Sequence, residues 1–64
     1  MRRQRRPYDT DAQRERAVDI IGRYPGRTTA ELRATHGLTA AEQRQLSQME
    51  SDGQLRYDHG WYIR

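Results

Sequence analysis

The sequence predicts a small α+β domain in which three helices precede a two-stranded β-hairpin. Three Thr-x-x-Glu/Gln patterns indicate three helix starts, because each Thr hydroxyl and each Glu or Gln side chain can accept a hydrogen bond from the other residue's backbone N–H. The segment 54–64 alternates apolar and polar residues around a glycine-containing turn, which is typical of a hairpin. With 64 residues in total, these elements can form one domain with one small core.

The first helix is predicted over residues 11–23, with Thr10 and Gln13 as its capping pair. Four apolar residues recur at intervals of three and four and are expected to face the core: Ala17, Ile20, Ile21 and Tyr24. The Pro25-Gly26 corner ends this helix.

The second helix is predicted over residues 29–35, capped by Thr28 and Glu31. Its expected core residues are Ala30, Leu32 and Ala34. Gly37 then has the position of a left-handed C-terminal cap. Leu38 follows it and is expected to pack inward, so the turn itself contributes to the core.

The third helix is predicted over residues 40–52, capped at its start by Thr39 and Glu42 and at its end by Gly53. The residues expected to face inward are Leu46 and Met49, with Ala41 or Gln45 at the edge of the stripe.

Two registers are open to the hairpin, whose apolar residues are Leu55, Tyr57, Trp61 and Ile63. A three-residue loop over 58–60, with Gly60 at positive φ, pairs Tyr57 with Trp61 and Leu55 with Ile63 and puts all four on one face. A two-residue turn at 59–60 would put Trp61 and Ile63 opposite Leu55 and Tyr57. We prefer the first register, because a lone two-stranded ribbon needs one face buried on helices.

Positive charge is concentrated at the N terminus. All twelve basic residues are Arg, and four of them lie within the first six positions: Arg2, Arg3, Arg5 and Arg6. Residues 7–64 carry eight Arg and nine acidic residues, a net charge of −1. We therefore predict a disordered arginine-rich arm over residues 1–8 and a folded domain over residues 9–64. Exclusive use of Arg fits phosphate and guanine recognition, and it fits a GC-rich genome equally well.

Several classes of function are excluded by what the sequence lacks. Without cysteine there is neither a disulfide nor a cysteine-based zinc site. The two imidazoles, His36 and His59, have no adjacent Ser or Cys nucleophile, and the acidic residues are expected on solvent-exposed faces. No apolar run approaches the roughly 18 residues that a membrane span needs. We predict a soluble, cytoplasmic protein that is not an enzyme and has no cofactor, metal or membrane partner.

Three segments give the helices and hairpin a familiar order. They are residues 24–32 (YPGRTTAEL), residues 37–39 (GLT) and the pattern Leu46-x-x-Met49-x-x-x-Gly53-x-Leu55. Together they resemble bacterial winged helix-turn-helix domains, in which a Pro-Gly-like corner, a short helix with an Ala-x-Leu pair and a recognition helix ending in Leu-x-x-Leu-x-x-x-Gly precede the wing. The resemblance covers about residues 12–64. It implies a DNA-binding protein, a transcriptional regulator of bacterial or phage type.

The chain departs from this family in two respects. The family commonly has an aliphatic residue four positions before Leu46, where this chain has Glu42. Either the third helix begins differently, or Glu42 serves the capping box and Ala41 replaces the aliphatic contact. The third helix also carries three acidic residues, Glu42, Glu50 and Asp52, against Arg44 alone. This charge balance is unfavourable for a helix in a major groove.

The resemblance implies that the third helix enters the major groove of double-stranded DNA. The residues opposite its core stripe would then face the bases: Thr39, Ala40, Gln43, Arg44 and Ser47. Gln43 could form two hydrogen bonds with adenine, and Arg44 two with guanine. The alternative is that the glutamines form only a solvated helical face.

Further contacts are expected outside the third helix. Arg27 and Thr28 lie where such domains bind a backbone phosphate, although Thr28 could be a helix cap alone. In the hairpin, Arg56 and His59 could reach a phosphate or the adjacent minor groove. The arginine arm would bind phosphates or a narrow minor groove, or else act as a solubilising, RNA-binding or protein-binding tail.

Three alternatives remain open from the sequence. The domain could bind a protein partner, using the third helix and hairpin as the interaction surface. Trp61 and Tyr62 could form a stacking platform for single strands, or Trp61 could be the lid of the core. Both a monomer and a homodimer are compatible, because Ala12 and Val18 lie outside the main stripe of the first helix.

Overall fold

The computed structural model describes residues 10–64. Three helices precede a two-stranded antiparallel sheet in the order α1 (Thr10–Arg23), α2 (Thr29–Thr35), α3 (Ala40–Ser51), β1 (Leu55–Tyr57) and β2 (Trp61–Ile63). The predicted α+β class, with three helices and a C-terminal hairpin, is confirmed. The predicted helix bounds agree with the observed ones to within one residue, which is the usual uncertainty at fraying helix ends.

Two of the three predicted capping boxes are formed. In the first, Thr28 Oγ1 accepts from the Glu31 backbone N–H at 3.2 Å, and Glu31 Oε1 accepts from the Thr28 N–H at 2.9 Å. The same two bonds join Thr39 and Glu42, at 3.1 and 2.8 Å. These short hydrogen bonds satisfy N–H groups that have no partner inside the helix, and they fix the starts of α2 and α3.

The predicted cap of the first helix is wrong in position. Thr10 is the first residue of α1 rather than the residue that precedes it. Gln13 Oε1 accepts a hydrogen bond from Gln45 Nε2 of α3 at 3.1 Å, and Gln45 Oε1 accepts from Arg14 Nε at 2.9 Å. These contacts connect two helices, so the local Thr-x-x-Gln spacing could not reveal them.

Glycines end α2 and α3 as predicted, with positive φ angles of 71° at Gly37 and 85° at Gly53. After α3, the Gly53 N–H donates to Glu50 O at 3.1 Å and the Gln54 N–H donates to Met49 O at 2.9 Å. This pair of bonds is the Schellman arrangement, which needs a residue in the left-handed region. The chain therefore leaves α3 in a fixed direction and enters β1 two residues later.

The core lies between the three helices and one face of the hairpin. Its buried apolar residues are Ala17, Ile20, Ile21, Leu32, Leu38, Leu46, Met49, Leu55 and Trp61. The prediction that Ala30 and Ala34 face inward is wrong, because residues two positions from Leu32 lie about 200° around the helix from it. Tyr24, also predicted to face the core, is 39% exposed beyond the end of α1, and its ring stacks on His36 with centroids 3.9 Å apart.

The hairpin has the preferred register, with Leu55 opposite Ile63 and Tyr57 opposite Trp61. Gly60 has a φ of 156°, and His59 adopts a left-handed φ of 59°. Only part of the apolar face is covered, since Tyr57 is 47% and Ile63 44% exposed. A two-stranded ribbon is strongly twisted, so the helices cannot cover its whole face. We attribute the exposure of Tyr57 and Ile63 to this twist, because the helices cover the diagonal from Leu55 to Trp61.

The loop between α1 and α2 is attached to the hairpin through its backbone. The Gly26 N–H donates to Trp61 O and the Trp61 N–H donates to Arg27 O, both at 2.9 Å. The approach is so close that a Cβ atom at Gly60 would collide with the Gly26 backbone. These contacts fix the hairpin relative to the start of α2.

Candidate nucleic-acid interface

The outward face of α3 lies opposite its buried row. Glu42, Leu46 and Met49 are buried, whereas the exposed or half-buried side chains on the other side are Ala40, Gln43, Arg44, Ser47 and Gln48. The five residues predicted to face the bases are Thr39, Ala40, Gln43, Arg44 and Ser47. All but Thr39, the N-terminal cap, belong to this outward set.

Glu42 points into the protein and not into solvent, which corrects the prediction that all acidic residues lie on exposed faces. It has no exposed surface, and its two carboxylate oxygens lie 3.0 and 3.3 Å from Nη1 of Arg16 on α1. Oε1 also accepts from the Thr39 N–H. A carboxylate can be buried here because both of its oxygens have charged or polar partners.

This position resolves the choice left open for Glu42. The third helix begins at Ala40 as predicted, and Glu42 serves the capping box, while Ala41 is half-buried. The carboxylate with its Arg16 partner occupies the place where an aliphatic side chain was expected. The sequence contains no local signal for the pairing, since 26 positions separate the two residues.

The surface of α3 is therefore less acidic than the number of acidic residues in its sequence suggests. With Glu42 buried, the acidic side chains exposed on or beside α3 are Glu50 and Asp52, both at its C-terminal end. The charged side chain on the outward face of the N-terminal half is Arg44. Residues 10–64 as a whole carry eight Arg and eight acidic residues, so their net charge is zero.

Arg44 and Gln43 differ in their contacts. Within residues 10–64, the exposed Arg44 side chain forms no ion pair or hydrogen bond. The Gln43 side chain is half-buried, and its Oε1 accepts from Nη1 of Arg33 on α2 at 2.9 Å. Arg33 was not among the predicted site residues. Its contact joins two helices and leaves no pattern in the sequence.

The start of α2 is already occupied by the chain's own groups. The Thr28 hydroxyl and N–H are both bonded to Glu31. Arg27 beside it is exposed, and its carbonyl accepts from Trp61. A phosphate at this position would have to lie next to the Glu31 carboxylate, so the contacts of Thr28 are those of a helix cap.

In the hairpin, the two predicted contact residues share one acidic neighbour. Arg56 Nη1 lies 3.6 Å from one oxygen of Asp58, and His59 Nδ1 lies 3.3 Å from the other. The Arg56 guanidinium also lies over the Tyr62 ring, 4.5 Å from its centroid. His59 is 98% exposed at the turn. The positive charge of Arg56 is thus partly compensated within the hairpin.

Trp61 belongs to the core, as the second of the two sequence interpretations held. It is buried, and its Nε1–H donates to Thr29 Oγ1 at 2.9 Å. The Tyr57 ring packs against it edge to face, with centroids 5.0 Å apart. The Trp61 ring is therefore covered and cannot stack on a base without partial unfolding.

The predicted arm, with Arg2, Arg3, Arg5 and Arg6, lies outside the described residues. Among residues 10–64, no helix has the length and apolar character required to span a bilayer, and no three potential metal ligands among His, Asp and Glu lie close together. No protein-family model, curated protein or solved structure matches the chain. Membership of the winged helix-turn-helix family stays a prediction from the sequence.

Proposed function

We propose that the chain is a winged helix-turn-helix protein that binds double-stranded DNA with the N-terminal half of α3 in the major groove. The observation that carries this proposal is the inward position of Glu42. Because that carboxylate is buried against Arg16, the outward face of α3 from Ala40 to Ser47 presents Gln43, Arg44 and Ser47 without an acidic side chain among them. The unfavourable charge balance of the sequence is thereby confined to the C-terminal end of α3, where Glu50 and Asp52 are exposed.

The dimensions and attachments of α3 support this docking. Its 12 residues extend about 18 Å, longer than the roughly 12 Å width of the major groove of B-DNA. The remaining acidic residues, Glu50 and Asp52, lie at the end that would leave the groove. The hairpin follows α3 after a fixed Schellman turn and is bonded to the loop before α2. In the proposed complex it would serve as the wing beside the recognition helix.

The chemistry on this face suits base and phosphate recognition. The Arg44 guanidinium, which has no partner within residues 10–64, can donate two hydrogen bonds to guanine O6 and N7, worth about 1–3 kcal/mol of discrimination. The arm would add affinity independent of sequence, because four Arg on phosphates give a log-log salt slope of about −3 to −4. A regulator of transcription that acts by occupying its site needs no catalytic group.

A titration of the full chain with duplex DNA at about 50 and 200 mM salt tests the proposal. Arg44→Ala should weaken binding to a selected sequence by about five- to 100-fold and relax the preference at one base pair. Arg23→Ala is the matched control, because it removes the same charge from the exposed side of α1, where Arg23 pairs with Asp19. The absence of duplex binding at low salt, or equal effects of both substitutions, would refute the proposal.

A protein-binding domain is the second candidate, favoured by a different observation. Tyr57 and Ile63 are about half exposed on the hairpin, and residues 10–64 carry no net charge. A partner covering this surface would bury both side chains. If Tyr57→Ser and Ile63→Ser abolish capture of a specific partner, and the chain shows no duplex binding, this second function replaces the first.

A further inference from the structure

We infer that Arg33 determines which base Gln43 recognises, and that this base is guanine and not adenine; the inference rests on the proposed binding of DNA by α3. The observation is the hydrogen bond from Arg33 Nη1 to Gln43 Oε1, 2.9 Å long, between α2 and α3. Arg33 is a positioning residue, since it acts through the Gln43 amide.

The chemistry of the two side chains fixes the direction of the amide. Oxygen and nitrogen of a Gln side chain are hard to distinguish by shape, so the assignment must come from the hydrogen-bond partner. A guanidinium has five N–H donors and no acceptor. The Gln43 atom that faces Arg33 must therefore be the oxygen, and the NH₂ group points away from α2.

This direction changes what Gln43 can read. Two hydrogen bonds to adenine need the amide oxygen to accept from N6 while the nitrogen donates to N7, with both atoms towards the base. In this protein Arg33 holds the oxygen on the side of α2, so the NH₂ group is the part of the amide turned to the groove, and adenine N6 would have to share the oxygen with Arg33 through its second lone pair. The neighbouring Arg44 is also a donor only.

Guanine is the base whose edge best matches this pair of donors. Its major-groove edge carries two acceptors, O6 and N7, whereas thymine carries one acceptor beside a methyl group. Adenine has one acceptor, N7, beside its N6–H donor, and cytosine has only its N4–H donor, so each sets at least one N–H group against the donors of Gln43 and Arg44. A guanine preference therefore follows from the Arg33–Gln43 contact, in place of the adenine contact that the sequence suggested.

Selection of bound duplexes from a randomised pool provides the test. The base pair read by Gln43 is the one whose preference disappears in Gln43→Ala. The wild type should favour guanine there, and replacing that guanine by 7-deazaguanine should weaken binding about two- to tenfold, the equivalent of one hydrogen bond. Arg33→Lys keeps a donor and should keep the guanine preference.

Arg33→Glu is the decisive variant. A carboxylate at this position accepts from the Gln43 NH₂ group and turns the amide oxygen towards the groove, so the preference should move to adenine or cytosine. The change of charge by itself lowers the affinity for all duplexes alike, because each has the same phosphates. A change in the relative affinities for duplexes with different bases therefore reports the orientation of the amide. Arg33→Met has no donor and should lose the guanine preference. A thermal unfolding curve of each variant excludes a folding defect as the cause.

The outcomes separate this inference from the proposed function. Duplex binding without a base pair sensitive to Gln43→Ala overturns the inference alone. So does a wild-type preference for adenine at that pair, or an unchanged guanine preference in Arg33→Glu. If the wild-type chain binds no duplex, the proposed function fails and the inference fails with it.

Discussion

Arg16 on α1 and Glu42 on α3 form a salt bridge across the inner side of the proposed recognition helix, with Nη1 3.0 Å from Oε2. The carboxylate is fully buried, and the guanidinium side chain is 44% exposed. Glu42 also caps α3 through the Thr39 N–H. One side chain thus fixes both the start of α3 and its position against α1.

Removing Arg16 should therefore cost much more stability than removing an ordinary surface arginine. Arg16→Met leaves the Glu42 carboxylate buried with one backbone partner, which we expect to lower the free energy of unfolding by about 1–3 kcal/mol. The lower part of that range reflects water reaching the exposed side of the pair. Urea unfolding followed by circular dichroism measures the change.

The double variant Arg16→Met with Glu42→Leu tests the cause. If the cost comes from an unpaired carboxylate, the double variant recovers most of the lost stability, because an apolar pair can replace a buried ion pair at little cost. It still lacks the acceptor for the Thr39 N–H, worth about 0.5–1 kcal/mol. If the double variant instead loses as much stability as the sum of Arg16→Met alone and Glu42→Leu alone, the salt-bridge explanation is contradicted.

Gly60 and Gly22 should respond to substitution in opposite directions. A methyl group at Gly60 would collide with the Gly26 backbone, where the loop after α1 is bonded to β2, whereas at Gly22 within α1 it meets nothing within 4 Å. We expect Gly60→Ala to destabilise the fold by more than about 1 kcal/mol. Gly22→Ala should stabilise it by about 0.5–1 kcal/mol, because Ala is the better helix former.

The unfolding temperatures of the two variants measure both effects, and they can be compared directly because each variant adds one methyl group. A destabilising Gly22→Ala would mean that the exposed side of α1 is covered by a partner or another part of the chain. A neutral Gly60→Ala would show that the hairpin can move away from Gly26 at little cost, and the close approach would then not be a fixed feature of the fold.

The single Trp offers a direct readout of the core assignment. Trp61 is 7% exposed, and its Nε1–H is bonded to Thr29. We expect weak quenching of its fluorescence by acrylamide in the folded chain and strong quenching in urea. Addition of single-stranded DNA should leave the emission unchanged, since the ring is covered. Strong quenching by single strands in the folded protein would restore the stacking interpretation.

The parts of the fold that were predictable from the sequence are those set by short-range patterns. The caps formed by Thr28 and Thr39 and the glycine ends of α2 and α3 each depend on residues three to six positions apart. The hairpin register follows from alternation and from Gly60. Local hydrogen bonding and backbone sterics decide these features, so a single sequence suffices to find them.

The features that could not be predicted join distant parts of the chain. The charge of Glu42 suggested solvent, and only the opposing Arg16 makes its burial favourable. Tyr24 fits the apolar stripe of α1, yet it stacks on His36 beyond the helix end. At the candidate interface, the sequence therefore predicted which residues of α3 face outward. It did not predict that Arg33 orients the Gln43 side chain.

The hairpin offers the last prediction, which concerns the strength of DNA binding. Asp58 partly neutralises Arg56 and lies beside His59 at the turn. Asp58→Asn should free the Arg56 guanidinium for a phosphate, raise duplex affinity about two- to fivefold at low salt, and steepen the log-log salt slope by up to about 0.9. Asp19→Asn is the control, because it makes the same charge change on α1, where Asp19 pairs with Arg23. If the two variants raise affinity equally, the effect is one of overall charge and the hairpin makes no contact of its own. A steeper slope in Asp58→Asn alone, lost again in Asp58→Asn with Arg56→Ala, would identify Arg56 as a phosphate contact that Asp58 restrains.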